Sequence, residues 1–184
     1  MAREVVLATS TTVTAIAFAG TIGVRWPLLA YLGFLVLTAS LLITDLEEFR
    51  IVDRLNLRGS LVVATALATT ALLDGDGGSL LRATLGAGAY FIGAALLWLA
   101  VRGKGFGLGD VKLAPQLGLF TAYVSWGTLG WGVFSTAMLG GVFALTMIVA
   151  GRAGLKTELP YGPPMILGAW LAIALAGPGG ILNS

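Results

Sequence analysis

The chain has 184 residues, of which 57% are hydrophobic and 11% charged, with a mean hydropathy of +0.93 and a formal net charge of +2. An average soluble domain carries roughly a quarter charged residues, so this composition excludes an ordinary water-soluble fold and predicts a chain built for a lipid bilayer. It contains no Cys and no His, which excludes disulfides, thiol nucleophiles, His-based zinc sites and Ser-His pairs and leaves carboxylates for acid–base chemistry.

Uncharged runs at 26–44, 59–73, 83–101, 113–151 and 159–184 separate the charged clusters, and several are long enough to cross a hydrocarbon core of about 30 Å as helix. The first predicted span, roughly 5–24, is Thr-rich. It lacks a strongly basic start and a second spanning run follows at once, so it reads as a retained helix rather than a signal peptide. The remaining predicted spans are 26–44, 58–74, 81–101, 111–124, 128–150 and 162–182. The 113–151 run is split at Ser125 and Gly127 because it is too long for one helix. The expected fold is therefore all-α, a polytopic transmembrane helical bundle of about seven spans. Six crossings is the alternative count, because the third span is short and the fifth begins at a polar loop. No internal repeat or linker stands out, so residues 1–184 are expected to form a single membrane-embedded domain.

Short loops rich in Lys and Arg stay in the cytoplasm. With the N-terminus cytoplasmic, Arg3, Arg50, Arg54, Arg58, Arg102, Lys104, Lys112, Arg152 and Lys156 fall inside, against Arg25 and Arg82 outside. This bias explains the small basic excess as topology, with no case for nucleic-acid binding. It also places Asp45, Glu47, Glu48, Asp53, Asp110 and Glu158 on the cytoplasmic side and the turn Asp74-Gly75-Asp76-Gly77-Gly78 outside. Trp26, Trp126 and Trp131 fall near the outer boundary and Trp98 near the inner one, as interface anchors do.

Asp45 ends the uncharged segment LLAYLGFLVLTASLLIT, at the edge of a spanning helix. A carboxylate there is expensive unless protonated, paired or hydrated, and is a functional candidate on that ground; the plainer reading is an acid marking the water boundary. Asp110 closes GKGFGLGD, where four glycines in seven residues permit positive φ and close backbone approach. Its plainer reading is a helix N-cap, with Pro115 in the first helical turns. Brought together by bundle packing, two such acids would share one proton, because both cannot ionise cheaply side by side. Gly86, Gly88 and Gly93 read as sites of close helix packing.

Three blocks in order resemble the type IV prepilin peptidases, membrane aspartyl proteases with a GxGD motif: TDLEEFRIVDRLNL (44–57), GFGLGDVKLAPQLGLF (105–120) and ELPYGPPMILGAWLAI (158–173). The resemblance implies Asp45 and Asp110 as the catalytic dyad, with Gly107 and Gly109 shaping the second motif. Asp53 matches a family acid outside the dyad, with a substrate or loop-ordering role or a helix-capping one. Lys112 follows the motif and could approach the dyad, though snorkelling to the lipid interface accounts for it equally. Glu47, Glu48 and Glu158 could attract a basic leader, or be solvated loop acids.

The resemblance further implies a substrate, the short basic leader of a prepilin or pseudopilin precursor cut on the cytoplasmic side of the cytoplasmic membrane, and neither cofactor nor metal. Val52 stands where many relatives carry Pro. The cysteine-containing N-terminal region of the large bacterial enzymes is missing, so a compact, protease-only form is expected, without methyltransferase activity. A small proton-coupled transporter is the rival reading. It would place acids near the bilayer midplane, where the long runs here have none.

Overall fold

A computed structural model describes residues 2–23, 25–48, 53–102, 106–149 and 161–177, with the side chains of 2–8, 45–48, 53–55 and 148 excepted. Among these residues there are seven helices and no strand: α1 (Ala2–Ile22), α2 (Pro27–Glu48), α3 (Asp53–Leu73), α4 (Gly77–Ala100), α5 (Leu108–Val124), α6 (Trp126–Val149) and α7 (Gly162–Leu175). A helix stands at each of the seven expected spans, the last ending at Leu175.

Local chemistry sets the boundaries. α2 begins on Pro27 and α7 carries Pro163 and Pro164 in its first turn, positions where the absent N–H would have no intrahelical acceptor. The acidic turn before α4 works as a cap. Gly75 takes a left-handed φ of +74°, and the Asp76 carboxylate accepts the Ser79 N–H at 3.1 Å. The break in the 113–151 run falls on Ser125 alone, which is extended at φ −165°, ψ 164°. Its hydroxyl accepts the Thr128 N–H at 2.9 Å, so it starts α6 as it ends α5, and Gly127 already lies within α6.

Four helices contain stretches long and apolar enough to cross a membrane: Pro27–Thr44, Asn56–Leu73, Gly77–Ala100 and Trp126–Met147. Their outer faces are apolar; Leu61, Leu81, Leu96 and Leu145 are each more than three-fifths exposed. That is the inverse of a soluble protein and suits lipid contact. α5, at 17 residues, and α7, at 14, are shorter; α5 lies inside, while α7 keeps Leu167, Leu171 and Leu175 exposed along one edge. Nearly all of α5 from Asp110 to Tyr123 is buried.

Inside a bilayer close packing and hydrogen bonds hold helices together, since lipid is as apolar as leucine. α4 and α5 meet backbone to backbone: a Cβ on Gly86 would lie 2.2 Å from the Ala122 Cβ, and one on Gly118 would lie 2.6 Å from the Gly86 carbonyl oxygen. α6 and α7 meet at Gly168, where a Cβ would lie 2.7 Å from the backbone nitrogen of Thr136. Gly88 and Gly93 face open space, so of the three α4 glycines expected to mediate packing only Gly86 does so. Phe34 of α2 stacks on Phe120 of α5 at 4.2 Å between ring centres, and the Tyr31 hydroxyl donates to the Phe120 carbonyl at 2.6 Å. α7 is tied in by Trp170 Nε1 donating to Thr38 Oγ1 at 3.0 Å and by Thr21 Oγ1 donating to the Ile173 carbonyl at 2.9 Å.

Arg82, one of two basic residues on the expected outer side, is spent on structure. Its guanidinium donates to the carbonyls of Ala122 (2.7 Å), Tyr123 and Val124 (3.1 Å), the last turn of α5. Those carbonyls have no intrahelical donors, and a cation there also meets the negative end of the helix dipole.

Candidate functional site

Asp110 sits at the third position of α5, with Gly107 as the N-cap, one turn earlier than the N-cap role its sequence suggests. The residue is 6% exposed, and its Oδ2 accepts the Gly107 N–H at 2.9 Å. This is the carboxylate half of a capping box; glycine has no side chain to return the other half. The carboxylate therefore stands at the positive end of the α5 dipole.

The glycines of the motif do not act through positive φ. Gly107 is extended at φ −82°, ψ 156°, a conformation open to any residue, and Gly109 lies in the first turn of α5. What Gly107 supplies is proximity, since a Cβ there would sit 3.4 Å from Asp110 Oδ2. Pro115 is interior to α5 rather than in its first turns, and without an N–H it leaves the Val111 carbonyl with no intrahelical donor.

Helix register relates Asp110 to Asp45. α2 and α5 are antiparallel and touch at the Phe34–Phe120 stack. From that contact Asp45 is eleven residues along α2 and Asp110 ten residues back along α5, or about 16 Å and 15 Å at 1.5 Å per residue. Both positions therefore reach the same end of the bundle at the same level. Eleven residues is close to three full turns, so position 45 continues the stripe of Phe34, Thr38 and Leu41, each fully buried. Position 110 shares its face of α5 with Ala114, Leu117 and Thr121, also buried. The side chains of Asp45, Glu47, Glu48 and Asp53 lie outside the described residues. Glu158 lies outside them entirely. Lys112 is exposed, on a different face of α5 from Asp110.

The neighbourhood of Asp110 includes groups that sequence reasoning passed over. Phe106, buried just before the N-cap, makes an edge-to-face contact with Tyr161 at 5.5 Å between ring centres. Tyr90 of α4 lies within electrostatic range of both Asp110 and Tyr161, and its hydroxyl is 3.4 Å from Thr136 Oγ1. Tyr161 packs over Gly140, where a Cβ would lie 2.6 Å from its hydroxyl. Tyr90, Phe106, Thr136, Tyr161 and Met165 line a cavity of about 570 Å³ between α4, α6 and α7, bounded farther along by Gly93, Gly130 and Trp126. The only sequence signal for Tyr161 is its place in the Pro-Tyr-Gly-Pro-Pro segment; Tyr90 sits in an apolar run with none.

Comparison with known proteins supports the resemblance to the prepilin peptidases. The model of the type IV leader peptidase family matches residues 29–149. The chain is 39% identical over 94 residues to leader peptidase HopD of Salmonella typhimurium, covering 48% of this chain and 55% of that protein. It is 32% and 30% identical over 82 residues to the prepilin leader peptidase/N-methyltransferases of Stutzerimonas stutzeri and Pseudomonas aeruginosa, covering 43% of this chain and 27% of each. The chain thus spans about half the length of the first relative and about a quarter of the others. No solved structure matches it. Most of the chain, from α2 through α6, including Asp45 and Asp110, falls within the family match, and this all-α, multi-pass membrane protein belongs to the type IV leader peptidase family.

Proposed function

We propose that the protein is an aspartic endopeptidase that removes the short basic leader of a prepilin-like precursor, with Asp45 and Asp110 as its catalytic dyad. The observation that carries this reading is the register of α2 and α5, which brings the two positions to one level on faces that are buried elsewhere along both helices. Family membership and the names of the relatives supply the reaction class and the kind of substrate.

Of the pair, Asp110 suits the ionised role, because the Gly107 N–H and the α5 N-terminus hold its charge. It takes a proton from a water as that water attacks the scissile carbonyl. Asp45, protonated, gives its proton to the developing oxyanion; as the C–N bond breaks, Asp110 passes the water's proton to the leaving amine and Asp45 regains a proton from the gem-diol hydroxyl. Gly107 keeps Asp110 Oδ2 open to water, and Gly109 keeps the first turn of α5 slim beside it. The distribution of Lys and Arg supports a cytoplasmic orientation for this end of the bundle. A precursor's apolar helix would then lie in lipid beside the bundle while its leader meets Glu47 and Glu48 at the end of α2, Asp53 at the start of α3, and Glu158.

The test is co-expression with a prepilin-like precursor, comparing wild type with Asp45→Asn and Asp110→Asn. Leader removal is expected to stop in both variants with membrane insertion unchanged. Normal cutting by either variant would refute the dyad.

A further inference from the structure

A second cavity, of about 510 Å³, lies in the seam between α3 and α5, with Ala87 of α4 on its wall, and the proposed hydrolysis does not use it. Its polar lining is confined to Asn56 and Ser60 on α3 and Lys112 and Gln116 on α5. Asn56 is 1% exposed and Gln116 4%. The Ser60 hydroxyl donates to Gln116 Oε1, and Asn56 Oδ1 is also within reach of it at 3.2 Å; one proton serves only one of them at a time. Among the described residues Gln116 Nε2 has no hydrogen-bond partner. A buried amide N–H with nothing to donate to is a costly state, and it marks a place where an acceptor is wanted.

The surroundings say which acceptor. Leu57 and Leu61, 66% and 62% exposed, flank the cavity, so it opens sideways through an apolar rim into the region of lipid tails. Lys112 stands at its mouth on the Asp110 end of the bundle, and Gln116 is one helical turn deeper, about 6 Å along α5. A phospholipid presents its groups in that same order: an anionic phosphate at the interface, ester carbonyls a step below, then acyl chains. A peptide awaiting cleavage fits less well, because Gln116 and Asp110 lie about 120° apart around α5, so the cavity and the acid face different sides of that helix.

We propose that the α3–α5 seam binds one anionic phospholipid, its ester carbonyl accepting from Gln116 Nε2, its phosphate level with Lys112 and one acyl chain in the cavity. Bound there, the lipid fills the seam between α3 and α5 and gives Gln116 Nε2 an acceptor. Nearby basic residues are a general attractor of anionic headgroups.

The experiment is native mass spectrometry of the detergent-purified protein titrated with phosphatidylglycerol, with thermal unfolding followed in parallel. One retained lipid per chain and a rise in melting temperature are expected for wild type. Gln116→Leu, which keeps bulk but removes the donor, is expected to bind about tenfold more weakly, the size of effect a single hydrogen bond allows. Ala64→Phe, which fills the cavity and leaves Gln116 in place, is expected to lose the lipid, so the test does not depend on Gln116→Leu folding. Phosphatidylcholine is expected to bind several-fold more weakly than phosphatidylglycerol. Absence of a retained lipid in wild type, equal binding by wild type and Ala64→Phe, or one-for-one displacement by a hydrophobic helical peptide would overturn the proposal.

Discussion

The two ends of α5 solve the same problem with opposite charges and to different ends. At its C-terminus a residue from another helix, Arg82, reaches in and commits its donors to three carbonyls and to Ser79 Oγ at 2.9 Å. At its N-terminus the helix's own Asp110 turns back to accept the Gly107 N–H at 2.9 Å. The arginine closes carbonyls that α5 leaves over, whereas the carboxylate belongs to the motif on which the proposed chemistry rests. A membrane helix end can thus be capped by a charge from a neighbouring helix or by one of its own.

The largest expected effect separates these two cases. Asp110→Asn keeps an oxygen for the Gly107 N–H, so melting temperature and helix content are expected to stay near wild type while precursor cleavage falls by about a thousandfold or more. Cleavage assays and thermal unfolding on the same preparation check both halves. An Asp110→Asn variant that unfolds instead would make the acid a cap first and would dissolve the contrast with Arg82.

Next in size is the contact that seats α5 against α4. Gly86→Leu drives a side chain into Ala122, with Cβ only 2.2 Å from its methyl, and is expected to cost about 3 kcal/mol, the upper part of the range for overpacking. Gly88→Leu, two residues away, meets nothing within 4 Å and is expected to change stability by less than about 0.5 kcal/mol. Similar melting curves for the two variants would show that α4 does not hold α5 as described.

Arg82→Met comes third. It keeps the apolar stem and removes the donors from the α5 C-terminus, for an expected loss of about 2 kcal/mol. Cleavage at a temperature where the protein stays folded is expected to be near normal, because Arg82 and Asp110 lie at opposite ends of α5. Arg82→Lys should fall between, since an ammonium cannot reproduce the planar fork. A selective loss of activity with unchanged melting would mean that the far end of α5 is coupled to the acid.

Much of this was legible in the sequence because hydropathy and charge act locally. The spans follow from apolar run length, Ser125 breaks the longest run as expected, and the GxGD block marks the start of α5 at the right place. What escaped depends on tertiary partners. Arg82 reads from its position as an exception to the charge bias, and only the α4–α5 contact reveals the carbonyls it meets. Gly86, Gly88 and Gly93 are alike as letters, and helix phase against a neighbour decides that the first alone packs. Gln116 and Tyr90 lie in apolar runs and acquire meaning only from α3 across the seam and from Asp110 at the start of α5.

The smallest effect is the finest probe of the N-terminal cap. Gly107 is extended, so a side chain is accommodated by the backbone there, and Gly107→Ser would add the hydroxyl that the capping box lacks. Stability is expected to rise by about 0.5 kcal/mol, since glycine is already a fair N-cap. The new Cβ would stand 3.4 Å from Asp110 Oδ2, in van der Waals contact, narrowing water's approach to that oxygen. Cleavage is accordingly expected to drop several-fold while melting temperature increases. Opposite movement of the two readouts would separate what Asp110 does for the helix from what it does for the reaction. If both rose together, the openness of Gly107 would have no part in the chemistry, and the glycine would be there for chain geometry alone.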